Sequence, residues 1–112
     1  MFAVFVELPA FERHRSRYLD DDEFRQLQKQ LLADPERGDV IQGSSGLRKM
    51  RFADARRGKG KRGGLRIIYF WWRRGEQLWL FSIYDKDEVE DLSATDKHAL
   101  KQRLEAELEA RQ

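Results

Sequence analysis

Two hydrophobic periods alternate along this chain and divide it into elements. Phe2 to Leu8 is β-branched and aromatic enough for a short strand. Pro9 is placed to open a helix, with Phe11 and Tyr18 seven residues apart on one face and charges between them. Asp20-Asp21-Asp22-Glu23 follows, an acidic cluster suited to a helix N-terminus, where backbone N–H groups and the macrodipole favour negative charge. Behind it Phe24, Leu27, Leu31 and Leu32 recur at helical spacing. Asp34-Pro35 ends the run, because the residue before proline is pushed out of the helical region. Residues 10 to 33 are therefore expected to form two helices, or one long broken one.

From Pro35 to Gly46 the pattern lapses into a connector with Gly38, Gly43 and Gly46, and Val40 and Ile41 are expected to pin it to the core. Period two then takes over. In a strand from 47 to 53, Met50 and Phe52 share one face with Arg48, while Lys49 and Arg51 share the other. Leu65 to Trp72 and Leu78 to Tyr84 are apolar on both faces, the mark of central strands covered by helices on at least one side. Arg73-Arg74-Gly75-Glu76 between them reads as a tight hairpin turn. Arg66 is the odd residue, a lone cation near the start of a core strand. Asp85 to Asp91 is a polar connector, and Ser93 with Asp96 has the spacing of a capping box. Leu100, Leu104 and Leu108 then mark a C-terminal helix whose narrow apolar stripe either closes over the sheet or docks a partner. The predicted order is strand, two helices, three antiparallel strands, helix. That is a single α+β domain over 1–112, with helices on an antiparallel sheet.

Composition narrows the function classes. At 112 residues there is enough chain for one core, and no internal repeat divides it. With no cysteine there is no disulfide framework, thiolate zinc site or cysteine nucleophile. The opening apolar run is too short for a secretory signal, and nothing approaches a membrane span, so a cytoplasmic protein with no membrane partner is expected. Charge changes the picture more. The net of +2 hides a segment, Leu47 to Arg74, with eleven Lys/Arg against one acid, Asp54; the remainder holds eleven bases and nineteen acids. A positive field concentrated in one segment suggests a polyanion partner, most simply nucleic acid. Arg56, Arg57, Lys59, Lys61 and Arg62 crowd a glycine-rich loop and, with Arg48 and Arg73, are the candidate contacts to RNA phosphates.

For chemistry, the exclusions come first. His14 and His98 are far apart and cannot make a zinc site alone, so neither metal nor cofactor is expected. The Gly58-Lys59-Gly60-Lys61-Arg62-Gly63-Gly64 loop lacks the Gly-Lys-Ser/Thr ending of a nucleotide-hydrolysing loop. The acidic runs read as a helix cap and a solvated turn, and the aromatic cluster around Trp71 and Trp72 reads mostly as core. RNA, however, brings its own nucleophile in the 2′-OH. Its cleavage needs a group to take that proton, cations for the charge building on phosphate, and a donor for the leaving 5′ oxygen. Lys49, Arg51, Arg66, Tyr84 and Lys86 are the candidate catalytic set, since alternation lets them converge on one sheet face.

These residues carry a resemblance. Asp39-Val40-Ile41-Gln42-Gly43, Gly46-Leu47-Arg48-Lys49-Met50-Arg51, Gly58 to Tyr69 and Ile83-Tyr84-Asp85-Lys86 closely resemble the HigB-like branch of RelE/ParE-type toxins, as do Val4-Phe5-Val6-Glu7 and Asp91-Leu92. The resemblance covers essentially the whole chain. It implies the small microbial RNase-like fold and a ribosome-dependent mRNA endonuclease cutting A-site codons by 2′-OH attack, leaving a 2′,3′-cyclic phosphate. It implies a cognate antitoxin, usually with a helix-turn-helix domain, through which the pair binds operator DNA. Lys49 and Arg51 match the family's basic strand, Arg66 its phosphate-stabilising arginine in Arg-x-x-Tyr, and Lys86 the lysine after the last strand. The sequence departs from the pattern in having no tyrosine after Tyr84, with Asp87 where some members carry arginine and Asp85 where close relatives carry glycine. Tyr84 and Lys86 are the residues assigned to proton transfer. Two other readings stand beside this one: a ParE-like toxin that poisons gyrase without cutting RNA, and an RNA-binding module without catalysis.

Overall fold

Local chemistry starts and stops the helices where the sequence suggests. In the computed structural model, which describes residues 2–52, 64–89 and 92–111, the order is β1 (Val4–Glu7), α1 (Pro9–Tyr18), α2 (Asp21–Ala33), β2 (Asp39–Val40), β3 (Arg48–Phe52), β4 (Leu65–Trp72), β5 (Gln77–Asp85) and α3 (Ala94–Ala110). The predicted break between the first two helices is real. Asp20 caps α2, accepting from the Glu23 N–H at 2.8 Å, while the Glu23 carboxylate accepts from the Asp20 N–H at 3.1 Å. Ser93 and Asp96 form the same reciprocal box at the start of α3, with bonds of 3.0 and 3.1 Å.

The five strands form one sheet in the order β1-β5-β4-β3-β2. β3, β4 and β5 are antiparallel to one another in turn as expected, and β1 is added in parallel beside β5. That makes the sheet mixed. The glycine-containing connector also contributes a two-residue edge strand, β2, paired with β3. It pins itself differently from expectation: Ile41 is buried, but Val40 is 48 % exposed. An edge strand has only one covered face, so alternation leaves one of two neighbouring apolar residues in water.

The two faces of the sheet hold two cores. Phe11, Leu27 and Leu31 from α1 and α2 meet Met50, Phe52, Leu65, Ile67, Tyr69, Leu80 and Ile83 on one side. Leu104 of α3 meets Leu8, Ile41, Leu47, Ile68, Trp79, Phe81 and Tyr84 on the other, with Leu100 and Leu108 partly buried there. The stripe on α3 therefore closes over the sheet. Arg111 finishes that docking, its guanidinium 4.7 Å from the Trp79 ring centroid and 3.1 Å from Glu107. Buried on both faces, β4 and β5 are the spine of the fold.

Candidate RNA-cleaving face

The sheet register decides which cations meet. Arg51 on β3 lies directly opposite Arg66 on β4, and Arg66 lies directly opposite Tyr84 on β5. Three candidate residues thus form one row across three strands, with neighbouring strands about 4.8 Å apart. One row further along the same face come Lys49, Ile68 and Ser82. This is the face that α3 covers.

A β-bulge sets the aim of Tyr84. Pairing is regular from Trp72↔Gln77 to Tyr69↔Leu80 and then skips Phe81, so that Ile68 pairs with Ser82. The extra residue flips the side-chain alternation. Trp79 and Phe81 face α3, and beyond the bulge Tyr84 faces α3 as well, while Ile83 turns into the opposite core. Without the bulge Tyr84 would point away from Arg66.

Arg66 is only 5 % exposed, an unusual state for a cation. Its Nη1 donates to the carbonyls of Gly64 and Leu65 at 3.2 and 3.3 Å. Among the described residues no carboxylate accompanies it, and its other nitrogens have no acceptor there. Arg51, immediately across the strand, is exposed and carries the same charge. Like charges directly opposite each other destabilise a sheet, and an anion seated between the two guanidiniums removes that penalty. Fork-shaped guanidiniums suit the paired oxygens of a phosphate.

The turn after β5 is braced from two directions. The buried Asp85 accepts from the Asp87 N–H through Oδ1 at 2.9 Å, and its carbonyl accepts from Glu88 and Val89. Glu88 in turn accepts from Arg17 Nη2 at 2.9 Å and from the Tyr18 hydroxyl at 3.3 Å, tying the turn to the end of α1. Lys86, two residues beyond Tyr84, is exposed on this braced turn. Asp85 therefore belongs to the strand and its turn rather than to a solvated linker. The Asp-x-Asp sequence is the signal that points to it, since an Asp side chain bonds the backbone two residues on.

Two expected contacts fall elsewhere. Arg48 pairs in register with Tyr69 on the α1–α2 face and donates to the Gly38 carbonyl at 2.7 Å and the Glu36 carbonyl at 3.0 Å, with the Glu36 carboxylate 3.3 Å away. It holds the connector before β2. Arg73 sits in the β4–β5 turn, seven residues and about 23 Å along β4 from Arg66. Arg56, Arg57, Lys59, Lys61 and Arg62 lie outside the described residues, as does Asp91. Within the described residues no group of three His, Asp or Glu side chains is arranged to hold a metal ion. No described helix is long and apolar enough to cross a membrane.

Beside Lys49 the same face opens into a groove of about 280 Å³ that sequence reasoning did not single out as a site. Asp39, Ile41 and Gln42 line it from the β2 edge, Leu92 from the approach to α3 and Lys97 from α3 itself.

No family model matches the sequence. Solved structures are similar to it in fold. A double arginine-to-alanine mutant of the E. coli toxin RelE in the free state aligns with a TM-score of 0.53 at 17 % identity, over 80 % of this chain and 90 % of that one. The isolated E. coli RelE toxin aligns over 90 % and 98 % at the same identity, with a TM-score of 0.49. With the cationic row and its bulge in place, the first of these alignments gives the architecture its name: the chain has the α+β fold of the E. coli RelE toxin.

Proposed function

We propose that this chain is the toxin of a type II toxin–antitoxin pair, a HigB-like endoribonuclease that cuts messenger RNA in the ribosomal A site. The observation that carries the reading is the Arg51–Arg66–Tyr84 row. Two guanidiniums face each other across a strand pair with a phenol beside them. The fold of a protein described as a toxin supports it, and so do the HigB-like sequence motifs.

In the mechanism, Arg66 and Arg51 hold the non-bridging oxygens of the scissile phosphate and stabilise the charge that builds there. The 2′-oxygen attacks phosphorus, the bond to the 5′-oxygen breaks, and a 2′,3′-cyclic phosphate and a 5′-hydroxyl result. Tyr84 and Lys86 move the protons, one accepting from the 2′-OH and the other donating to the leaving oxygen. Lys49 steadies the neighbouring phosphate. The loop cations Arg56, Arg57, Lys59, Lys61 and Arg62 extend the grip along the RNA backbone. No metal or cofactor enters this scheme. The partners are the 70S ribosome with its messenger and a helix-turn-helix antitoxin, through which alone the protein meets operator DNA. The whole chain acts as one cytoplasmic domain.

Primer extension on programmed ribosomes, beside the same messenger free in solution, tests the reading. The expected result is cutting at A-site positions on the ribosome and little or none on free RNA. Intact messenger with translation still running would overturn it and direct attention to gyrase.

A further inference from the structure

The groove beside the cationic row has a chemical character of its own. Ile41 and Leu92 give it apolar walls. Lys49 and Lys97 stand at it from β3 and α3 against one carboxylate among the described lining residues, Asp39, so a ligand with phosphates matches its net charge. Lys49 also belongs to the face that carries Arg51, Arg66 and Tyr84, so a chain with its phosphate on that row can reach the groove without a break. At about 280 Å³ the space suits one planar ring system and its sugar rather than a longer ligand.

Asp39 is the feature that confers choice. It sits opposite Lys49 in the β2–β3 register, on the groove side, and its carboxylate has no hydrogen-bond or ion-pair partner among the described residues. An ionised carboxylate only accepts hydrogen bonds, through two oxygens side by side. Guanine offers the matching edge, N1–H next to the exocyclic amine. Adenine and cytosine set an acceptor nitrogen beside their amine, and uracil flanks its one N–H with carbonyls. Each of these turns a lone pair towards the second carboxylate oxygen.

We propose that this groove seats one guanine base of the bound messenger next to the cleaved phosphate, with Asp39 pairing bidentately to its Watson–Crick edge. The assignment of the ligand as messenger rests on the ribonuclease reading; the guanine chemistry of the groove does not. Lys49 and Lys97 bind the phosphates on either side, and Ile41 and Leu92 contact the ring.

Guanosine 3′,5′-bisphosphate and inosine 3′,5′-bisphosphate separate these points, because inosine lacks only the exocyclic amine. Titration of the full-length protein with each, followed by NMR, should shift Ile41, Leu92 and Asp39, with guanosine bound about tenfold tighter. Asp39→Asn should bring the two ligands to within about twofold of each other. Asp39 is exposed, so the variant folds, which its unshifted core resonances verify. Equal binding of the two ligands by the unaltered protein, shifts confined to other surfaces, or unchanged discrimination in Asp39→Asn would each overturn the proposal. Messengers carrying guanosine or inosine at successive A-site positions then link it to cleavage. Should the groove discriminate while no messenger is cut, the groove stands as a guanine-nucleotide site and the ribonuclease reading falls.

Discussion

Tyr69 and Arg66 lie three residues apart on β4 and face opposite sides of the sheet, and burial means different things for the two. Tyr69 is fully buried and satisfied: its hydroxyl donates to the Pro35 carbonyl at 2.8 Å and accepts from the Gly38 N–H at 2.9 Å. Burial pushes its phenol up from the ordinary value, against the smaller opposing pull of the Gly38 hydrogen bond and the nearby Arg48. The folded protein thus holds this proton more tightly than the unfolded chain does. The contribution to stability is complete below about pH 10 and is lost as pH rises through the raised folded value. Urea unfolding from pH 7 to 11 should show a decline above pH 10 that Tyr69→Phe lacks. At neutral pH that variant should be less stable by roughly 1–3 kcal/mol, since Gly38 N–H and Pro35 C=O lose their partner. Arg66 is buried as a cation, with its Nη1 bonded to two carbonyls of its own strand start. Its sequence position marks it as odd for a core strand; its opposition to Arg51 depends on a register that no local pattern displays.

Elements differ in how far they can be read from local residues. Both capping boxes are legible because a cap is a contact between residues three apart. The alternation of Lys49 and Arg51 against Met50 and Phe52 on β3 is legible for the same reason, and burial follows it. The bulge at Phe81 is not legible, because Leu78 to Tyr84 is apolar at every position but Ser82 and either phase would bury it. Nor is the two-sided bracing of the 85–89 turn, in which Glu88 reaches residues seventy positions away. That bracing carries a prediction. The Arg17–Glu88 pair is half-exposed, so Glu88→Ala should cost stability no more than about 1 kcal/mol. It should nevertheless slow cleavage several-fold at saturating ribosomes by loosening the turn that presents Lys86, with the half-saturating concentration unchanged. A rate equal to that of the unaltered protein would mean that Asp85 alone sets the turn.

At the scale of the molecule, the sheet has one face closed by α1 and α2 and another closed by α3. On the second face Arg51 stays exposed. The strand–helix–helix–strands–helix order follows from hydrophobic period alone, as does the central place of β4 and β5. The parallel addition of β1 beside β5 does not, since a four-residue strand carries no mark of its partner's direction. The charge asymmetry of the sequence gains its meaning from this arrangement. Of the cations of the basic segment that lie in described residues, Lys49, Arg51 and Arg66 gather on one face, whereas Arg48 is spent on the connector and Arg73 and Arg74 lie in the turn at the far end of the sheet. On the proposed reading, this gathered set does chemistry on RNA rather than merely binding it.

The most direct test is single-turnover cleavage of ribosome-bound messenger by Arg66→Ala beside the unaltered protein, with ribosome affinity measured on the same samples. Loss of a phosphate-stabilising arginine should lower the cleavage rate by about 10²–10³-fold, with ribosome affinity within a few-fold of the original. Cleavage at the original rate would contradict the assignment of the site. So would a fall that follows ribosome occupancy alone, leaving this face as one that only binds.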